Sequence, residues 1–524
     1  MSRPQRYLAG VLMAASLVPI WSVTYFPAQN GPWYLLVAKM LRDFRDPALG
    51  YAEYYCISWH AIPYLLHVLL VTAASFFVDI LTAHKFAVSI YALLLPTSVF
   101  YFLSVVAPQK IDFGFLSFLL IFNYPLFRGY QNFALAIPFF LFAFAYWVRW
   151  KAQLNVCRWL VLNLLVLLVY LSHVMVFAFL SIGMAVWALR ETRRLRSVLV
   201  VFLQGFVPSS LLFADFVWLN HTSSHWVEAG GVEYLPLNWT AEYFFIELFY
   251  PISTFRVPVG FLLTVLPFVV AFLLFVGAIV ARVRLYRDGQ PAPPVADGLA
   301  MLTLVYLAMY FVMPYKMAGW HHANTRLAPF VVLMAMGFAA TLSTARWQRW
   351  IVGISALASL GVFALLTVEI RSLDSEVAEY VSGVPKIEMN KTLLAIHGEN
   401  SVRKFGAIRP TTRAHDYYQV FRGGANGQGV AHFNTIVPVW YRHYPVSDRF
   451  PDCDSKHPET SLPAIAATYD YVLIWDADKQ LQAFVPRLCQ HHFRLLHRQE
   501  RLQIYENRAR LAVGRQTAEE NRAQ

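Results

Sequence analysis

The sequence predicts an all-α polytopic membrane protein of about 11 to 12 transmembrane helices, with a C-terminal α/β domain outside the membrane. Three observations lead there. Apolar runs of about 16 to 24 residues, the length a bilayer core demands, recur as far as residue 368. Of 524 residues, 58% are hydrophobic and only 14% charged, against about 25% charged in a soluble domain. The basic residues cluster between the runs: Arg149, Lys151 and Arg158; Arg190, Arg193, Arg194 and Arg196; Arg282, Arg284 and Arg287; Arg346 and Arg349. That is the positive-inside pattern, which places these loops in the cytoplasm. The net charge of +12 is therefore a topology signal, and no nucleic-acid partner is expected.

In chain order the predicted spans are 7–25, 61–81, 86–106, 113–127, 133–148, 157–172, 174–189, 198–219, 259–281, 298–314, 327–344 and 351–368. Arg3 and Arg6 precede the first, but no small-residue cleavage site follows it, so it reads as a retained span and not as a signal peptide. If the first five all crossed, Arg149 and Lys151 would fall outside, against the charge rule. The run 61–81 is the one expected not to cross fully, because Pro63, His67 and Asp79 interrupt it. This assignment brings 26–60, 128–132, His173, 220–258, 315–326 and everything after Val368 to the outer face. The transmembrane domain is then 1–368 and the outer domain 369–507, with a polar tail over 508–524 whose composition predicts disorder.

The first polar excursion, 26–60, organises the rest. It begins Phe26-Pro27-Ala28-Gln29-Asn30-Gly31-Pro32-Trp33-Tyr34 and runs on to Arg42-Asp43-Phe44-Arg45-Asp46-Pro47, then Tyr51-Ala52-Glu53-Tyr54-Tyr55. Pro32 can open a helix and Asp46-Pro47 can close one. A short helix lying on the membrane surface and roofing a site is expected.

Other polar features share that face. His173 interrupts an apolar stretch where two short spans must turn; it is either functional, as ionisable groups at membrane depth tend to be, or bound to a neighbouring carbonyl. Arg128 and Arg326 stand at outer ends of spans, where a lipid phosphate would match the guanidinium fork; the alternative is a side chain snorkelling to headgroups. His322 lies in the polar segment 319–326 beside His321. Adjacent side chains rarely converge on one ion, and no second pair has metal spacing, so neither a metal nor any other cofactor is expected. Asp79 and Asp215 read as caps or buried partners.

The loop 220–258 carries His221, His225, Glu228, Glu233 and Glu242. Its length suggests function, and Tyr243-Phe244-Phe245 predicts a second interfacial helix. In the outer domain, 469–475 reads as a buried strand, and 493–496 with 502–505 as a terminal strand pair. Residues 411–418 and 421–424 suit sugar contacts, although the glycines also suit turns. Cys453 and Cys489 are either one bridge or two thiols. No internal repeat of the kind transporters show is present.

The first span, the Pro-x-x-x-Gly-Pro loop with its helix, the many further spans and the C-terminal domain together resemble the GT-C superfamily of membrane glycosyltransferases. That group includes protein O-mannosyltransferases and lipid A aminoarabinose transferases. The resemblance implies a bacterial inner-membrane protein with its C-terminal domain in the periplasm. It also implies transfer of a sugar from a polyprenyl phosphate donor to an extracytoplasmic glycan, lipid or protein. A first-loop carboxylate would serve as base, with His173, at an outer span end, as a further catalytic candidate. Asn30 stands where the family carries Asp, and an amide cannot accept a proton as a base must. Glu53 and Asp43 are then the candidate bases, with Asp46 beside them. Asn30, Tyr34, Arg128, Arg326 and His322 are the candidate substrate contacts. Against the acids, Lys39 with Asp43 and Arg42 with Asp46 are i,i+4 pairs that would simply solvate a helix. The other reading is a non-catalytic protein that binds lipid-linked glycans or scaffolds envelope assembly.

Overall fold

A computed structural model describes the chain apart from residues 223–230, 245–257, 292, 318–320, 344, 399–407, 430–435, 444–445, 454–457 and 513–524. Among the described residues, seven helices are long and apolar enough to cross a membrane: Ile80–Val106, Pro108–Arg128, Gln131–Trp150, Val174–Thr192, Pro294–Val312, Thr325–Leu342 and Trp350–Lys386. Arg3–Trp21, Val156–Ser172 and Pro258–Arg287 are further helices of the same layer. The chain is an integral, multi-pass membrane protein.

The run 198–219, expected as one span, is two helices, Arg196–Gly205 and Val207–Thr222, bent by 86°. Pro208 explains the break. It has no N–H to give the Gln204 carbonyl, and its ring crowds that carbonyl. The Gln204 oxygen instead accepts from Asn163 Nδ2 at 3.0 Å.

The run 61–81 carries only the nine-residue helix Leu66–Ala74, about 14 Å long against a bilayer core of about 30 Å. It does not cross, as the charge argument expects. Asp79 caps the next helix, accepting from the Leu81 and Thr82 N–H groups at 3.0 Å. Asp215 pairs with His60 at 3.0 Å.

The first-loop helix forms over Gly31–Asp43 with Pro32 in its first turn, but it does not lie on a surface: Trp33, Tyr34, Leu35, Leu36, Val37, Ala38 and Met40 are all buried. Leu66–Ala74 covers one side, and the C-terminal domain helix Asp416–Arg422 another. One apolar core runs from Leu35 and Leu36 through Val68 and Val71 to Tyr417, Leu473 and Ile504. An amphipathic pattern cannot tell a protein cover from a lipid one, which is why the surface expectation fails.

Strand β1 (Tyr55–Ile57) of the same loop pairs antiparallel with β3 (Val439–Tyr441), placing Cys56 opposite Trp440. The Arg442 N–H reaches the Tyr54 carbonyl at 2.9 Å and the Ser58 N–H the Pro438 carbonyl at 2.7 Å. The first loop and the C-terminal domain are thus one structural unit.

That domain holds a four-stranded sheet in the order β2-β4-β6-β5, with β2 Leu393–His397, β4 Tyr471–Trp475, β5 Phe493–Gln499 and β6 Leu502–Asn507. The β2–β4 pair is parallel and the other two antiparallel. The buried strand and the terminal hairpin lie where the sequence puts them. Residues 508–512, expected in a disordered tail, continue as a helical turn, and Arg510 Nε donates to Asp470 Oδ1 at 3.1 Å. None of the four cysteines is in a disulfide, so Cys453 and Cys489 are not bridged. The helix Ala345–Val381 has 37 residues, about 56 Å, so it runs beyond a bilayer core into this domain. There Glu379 meets Arg501 at 2.7 Å, and the Tyr380 ring stands 4.9 Å from the Trp475 ring.

Candidate functional site

Two loops meet at Asn30. The Gln29 N–H donates to the Phe127 carbonyl at 2.8 Å and the Asn30 N–H to the Arg128 carbonyl at 3.3 Å. The short helix Tyr124–Arg128, capped by Asn123, ends at Gly129 with φ +82°. A Cβ at Gly129 would stand 2.5 Å from the Asn30 nitrogen, so the approach requires glycine on both counts. Arg128 Nη1 donates to Gln29 Oε1 at 2.7 Å. The same oxygen takes the Arg409 N–H at 3.2 Å. Burial and then the charge of Arg128 depress the Arg409 guanidinium. Asn30 starts the helix without a side-chain cap bond.

Beside this junction lies a buried cation. Arg326 is 4% exposed, and its Nε is buried without a hydrogen bond. Its guanidinium lies 5.0 Å from the Tyr130 ring and 5.9 Å from that of Phe133, and Nη1 reaches only the Met175 sulfur at 3.4 Å. Among the described residues no carboxylate forms an ion pair with it. A guanidinium removed from water and given only a thioether and ring faces is badly compensated. The site therefore favours an anion.

Around it the sequence supplies polar aromatic groups. His173 ends one helix and caps the next, its Nδ1 accepting from the Met175 N–H at 3.2 Å; the bond goes to an amide and not to the carbonyl considered from the sequence. With Nδ1 as acceptor, the ring proton sits on Nε2. The His173 ring is packed edge-on by Tyr64 at 4.7 Å and by Phe133 at 5.3 Å. Tyr64 has φ +81° and His322 φ +62°, a conformation bulky residues adopt only where the surroundings enforce it. Asn132 does the enforcing at Tyr64: its Nδ2 donates to the Tyr64 carbonyl at 2.5 Å and its Oδ1 takes the His67 N–H at 2.9 Å. Burial pushes the Tyr34 phenol up to about 12, with the Asn132 side chain and the Arg326 charge acting the other way. Tyr34 thus stays a donor at neutral pH. His322 lies 3.0 Å from the Tyr315 hydroxyl, within a ring cluster of Tyr124, Tyr130, Tyr243 and Tyr315.

Tyr34, Asn30, Arg128, Arg326, His173 and His322 are therefore gathered on two connected loops and the helix ends beside them. The candidate acids are not among them. Asp43 binds Arg42 at 2.7 Å and Lys39 at 2.5 Å. Burial raises its carboxyl, but these two cations outweigh that and hold it below the ordinary carboxylate range. Glu53 is exposed and accepts from Asn390 Nδ2 at 3.0 Å, on the seam with the C-terminal domain. Asp46 turns its carboxylate on the Ala48 N–H at 2.9 Å. Of the 220–258 loop, His225 and Glu228 lie outside the described residues, and a helix over 237–244 brings Tyr243 to His322. The sequence reading passes over Gln29, Tyr64, Asn132 and Arg409, and it takes His67 only as a span breaker. Their roles come from contacts across long chain separations; the one local signal is Pro63 before Tyr64.

No protein-family profile matches this chain, and no curated protein matches its sequence. Its fold is similar to the crystal structure of ArnT from Cupriavidus metallidurans bound to undecaprenyl phosphate. The TM-score is 0.56 at 11% identity, over 96% of this chain and 97% of that one. At that identity the likeness shows a shared fold, a helical membrane domain followed by a small α/β domain.

Proposed function

We propose that the protein transfers a sugar from a polyprenyl phosphate to an acceptor on the side of the C-terminal domain, and that this side is extracytoplasmic, the periplasm of a bacterial inner membrane. The observation that carries the reading is Arg326, a buried cation without a carboxylate partner among the described residues. The donor's phosphate would supply the missing charge, and a guanidinium holds phosphate oxygens in a fork. The similar fold of a protein bound to undecaprenyl phosphate supports a lipid-linked donor. Arg128, steered by Gln29, faces the same junction and would bind the donor from the loop side. Tyr34, Asn30 and His322 would contact sugar or acceptor hydroxyls. As the anomeric bond breaks, charge develops on the departing phosphate, where fixed cations in a dry site are most effective.

A second reading is favoured by Asn30 and by the engagement of Asp43 and Glu53 elsewhere: the protein binds lipid-linked glycans without transferring them. The experiment that separates the two presents a panel of polyprenyl phosphate sugars to the purified protein in lipid nanodiscs and follows free polyprenyl phosphate. Acceptor-dependent release establishes the transferase. Binding that Arg326→Ala abolishes, with no release, establishes the binding protein. Binding by neither wild type nor variant overturns both.

A further inference from the structure

The C-terminal domain carries a second set of buried polar groups, which the donor site does not use. His415, Asp416, Gln419 and Asn426 are each between 0 and 4% exposed. Both ring nitrogens of His415, Oδ2 of Asp416, both amide atoms of Gln419 and Oδ1 of Asn426 are buried without a hydrogen bond. A folded interior leaves few polar atoms in that condition, because each costs free energy. Six such atoms on four side chains call for a partner.

The four side chains belong to one cluster. His415 Nε2 and Asn426 Nδ2 each stand 3.5 Å from Asp416 Oδ1. Gln419 lies three residues after Asp416 on the helix Asp416–Arg422, so the two share a face. The Tyr51 hydroxyl, from the first loop, fixes that helix by donating to the Gln419 carbonyl at 2.6 Å. Gly429 presents no side chain to the cluster: a Cβ there would stand 3.1 Å from Asn426 Oδ1 and 2.8 Å from the Tyr441 hydroxyl. The His397 ring, 6.3 Å from that of His415, forms a further wall. The cluster reaches the surface at Arg413 and Gln428, both only half-buried. Arg413 Nη1 donates there to the Gln428 carbonyl, and the charge of Arg413 acts on His397, His415 and Asp416 alike. One edge of the cluster is therefore a half-exposed guanidinium.

We propose that this cluster is a binding site for an uncharged, hydroxyl-rich ligand, a glycosyl unit, held by the C-terminal domain apart from the donor site. A sugar hydroxyl both donates and accepts. The ionised Asp416 and the amide oxygens of Gln419 and Asn426 only accept, the Gln419 NH2 only donates, and a neutral imidazole offers one nitrogen of each kind. Neighbouring hydroxyls of one sugar ring would satisfy them together. One guanidinium and one carboxylate leave the site without the net charge that would favour an ion. Among the described residues no three His, Cys, Asp or Glu side chains are grouped to hold a metal. Tyr51 and Arg409, which meet Gln419 and Gln29, tie the same segment to the first loop. A longer glycan held here is thus suited to be the acceptor in the transferase reading, although the binding itself does not rest on that reading.

The test measures binding of free neutral sugars to the full-length protein in nanodiscs by saturation-transfer NMR, alongside thermal melts. The panel holds hexoses, N-acetylhexosamines and their disaccharides. Wild type is expected to bind at least one of them, and Gln419→Leu and Asp416→Asn are each expected to weaken that binding about tenfold or more. Gln419→Leu removes two polar atoms that have no partner in the fold, so its melt is expected at or above that of wild type, whereas a role in holding the fold would lower it. Arg326→Ala is expected to leave sugar binding unchanged; a parallel loss there would place the sugar at the donor site and overturn the proposal. Binding that neither Gln419→Leu nor Asp416→Asn changes also overturns it. So does the absence of binding by any sugar of the panel, which leaves ordered water as the occupant. These last two results leave the donor reading standing, and failure of a polyprenyl phosphate to bind would leave this site standing.

Discussion

Gln29 and Arg128 are joined across two loops: Gln29 Oε1 accepts from Arg128 Nη1 at 2.7 Å and from the Arg409 N–H at 3.2 Å. One amide oxygen thereby orders the first loop, the 128–132 turn and a segment of the C-terminal domain. Gln29→Ala is expected to release Arg128 and weaken donor binding about tenfold, with a stability loss of about 1–3 kcal/mol from unpaired groups. Isothermal binding of a polyprenyl phosphate sugar measures the first and a thermal melt the second; unchanged binding would mean that Arg128 does not serve the donor.

Arg326 offers a sharper comparison. Arg326→Lys keeps the charge but loses the fork, and Arg326→Ala loses both. Donor affinity is expected to fall in the order wild type, Lys, Ala, with Ala weaker by about 2–5 kcal/mol, about 30- to several thousand-fold. Because the group is buried, the loss should change little with salt. Equal affinity across the series would remove the phosphate from this site.

Asn30→Asp restores the residue type that the GT-C resemblance leads one to expect. The new carboxylate removes an amide donor that would contact sugar or acceptor hydroxyls and brings a negative charge beside the donor's phosphate. Transfer is expected to fall about tenfold, mainly through KM. A rise in kcat would instead assign the base to position 30.

Gly423 marks the seam between the first loop and the C-terminal domain. Its φ of +69° and ψ of −153° lie in a region only glycine occupies readily, and a Cβ there would run into the Leu49 backbone. The next residue, Gly424, donates its N–H to the Leu49 carbonyl at 2.8 Å. Gly423→Ala is expected to cost about 1–3 kcal/mol and to speed proteolytic cleavage between the two segments. Wild-type resistance in the variant would show that the seam contributes little to docking.

Asp416 makes the C-terminal domain respond to pH. It is fully buried, and burial raises its carboxyl to about 6 against the opposing effects of Arg413 and Asn426. A raised carboxyl stabilises the fold fully below its unfolded value near 3.8, and that contribution is lost as pH rises through about 6. His397, depressed to about 4 by burial and then by Arg413, has the opposite sign: its contribution is present above its unfolded value and lost as pH falls through about 4. His415, depressed first by burial, acts in the same sense as His397. Asp416→Asn isolates the carboxyl. Melts should show the variant more stable than wild type at pH 7.5, by up to about 3 kcal/mol, with the difference vanishing toward pH 4. A difference independent of pH would show that the carboxylate is compensated where it stands.

Spans and strands were legible because length, apolarity and β-branched runs are local signals. That the run 61–81 does not fully cross followed from counting charges on each side, while Asp79, open between a cap and a buried partner in the sequence, proves to be a cap. The break at Pro208 was legible in principle, since proline in a long apolar helix announces a bend. The burial of Gly31–Asp43 was not, because one of its two covers, the helix Asp416–Arg422, comes from the C-terminal domain, far along the chain. The site divided in the same manner. Arginines at the wrong ends of spans stood out against a charge rule. The fates of Asp43 and Glu53 depended on partners such as Asn390 that no spacing reveals. Tyr64, Asn132 and Gln29 are ordinary residues made special by a bond across the fold.

The helix Ala345–Val381 couples membrane and domain as a rigid shaft. Each residue of an α-helix advances about 1.5 Å and turns about 100°. A single residue inserted between its apolar half and Asp374, which takes the Thr24 and Tyr25 N–H groups at 3.2 and 2.7 Å, would swing everything beyond it by more than a quarter turn about the shaft. The length of this helix is thus a phase setting. A change in its residue count keeps the contacts at both ends in phase only in steps close to whole turns.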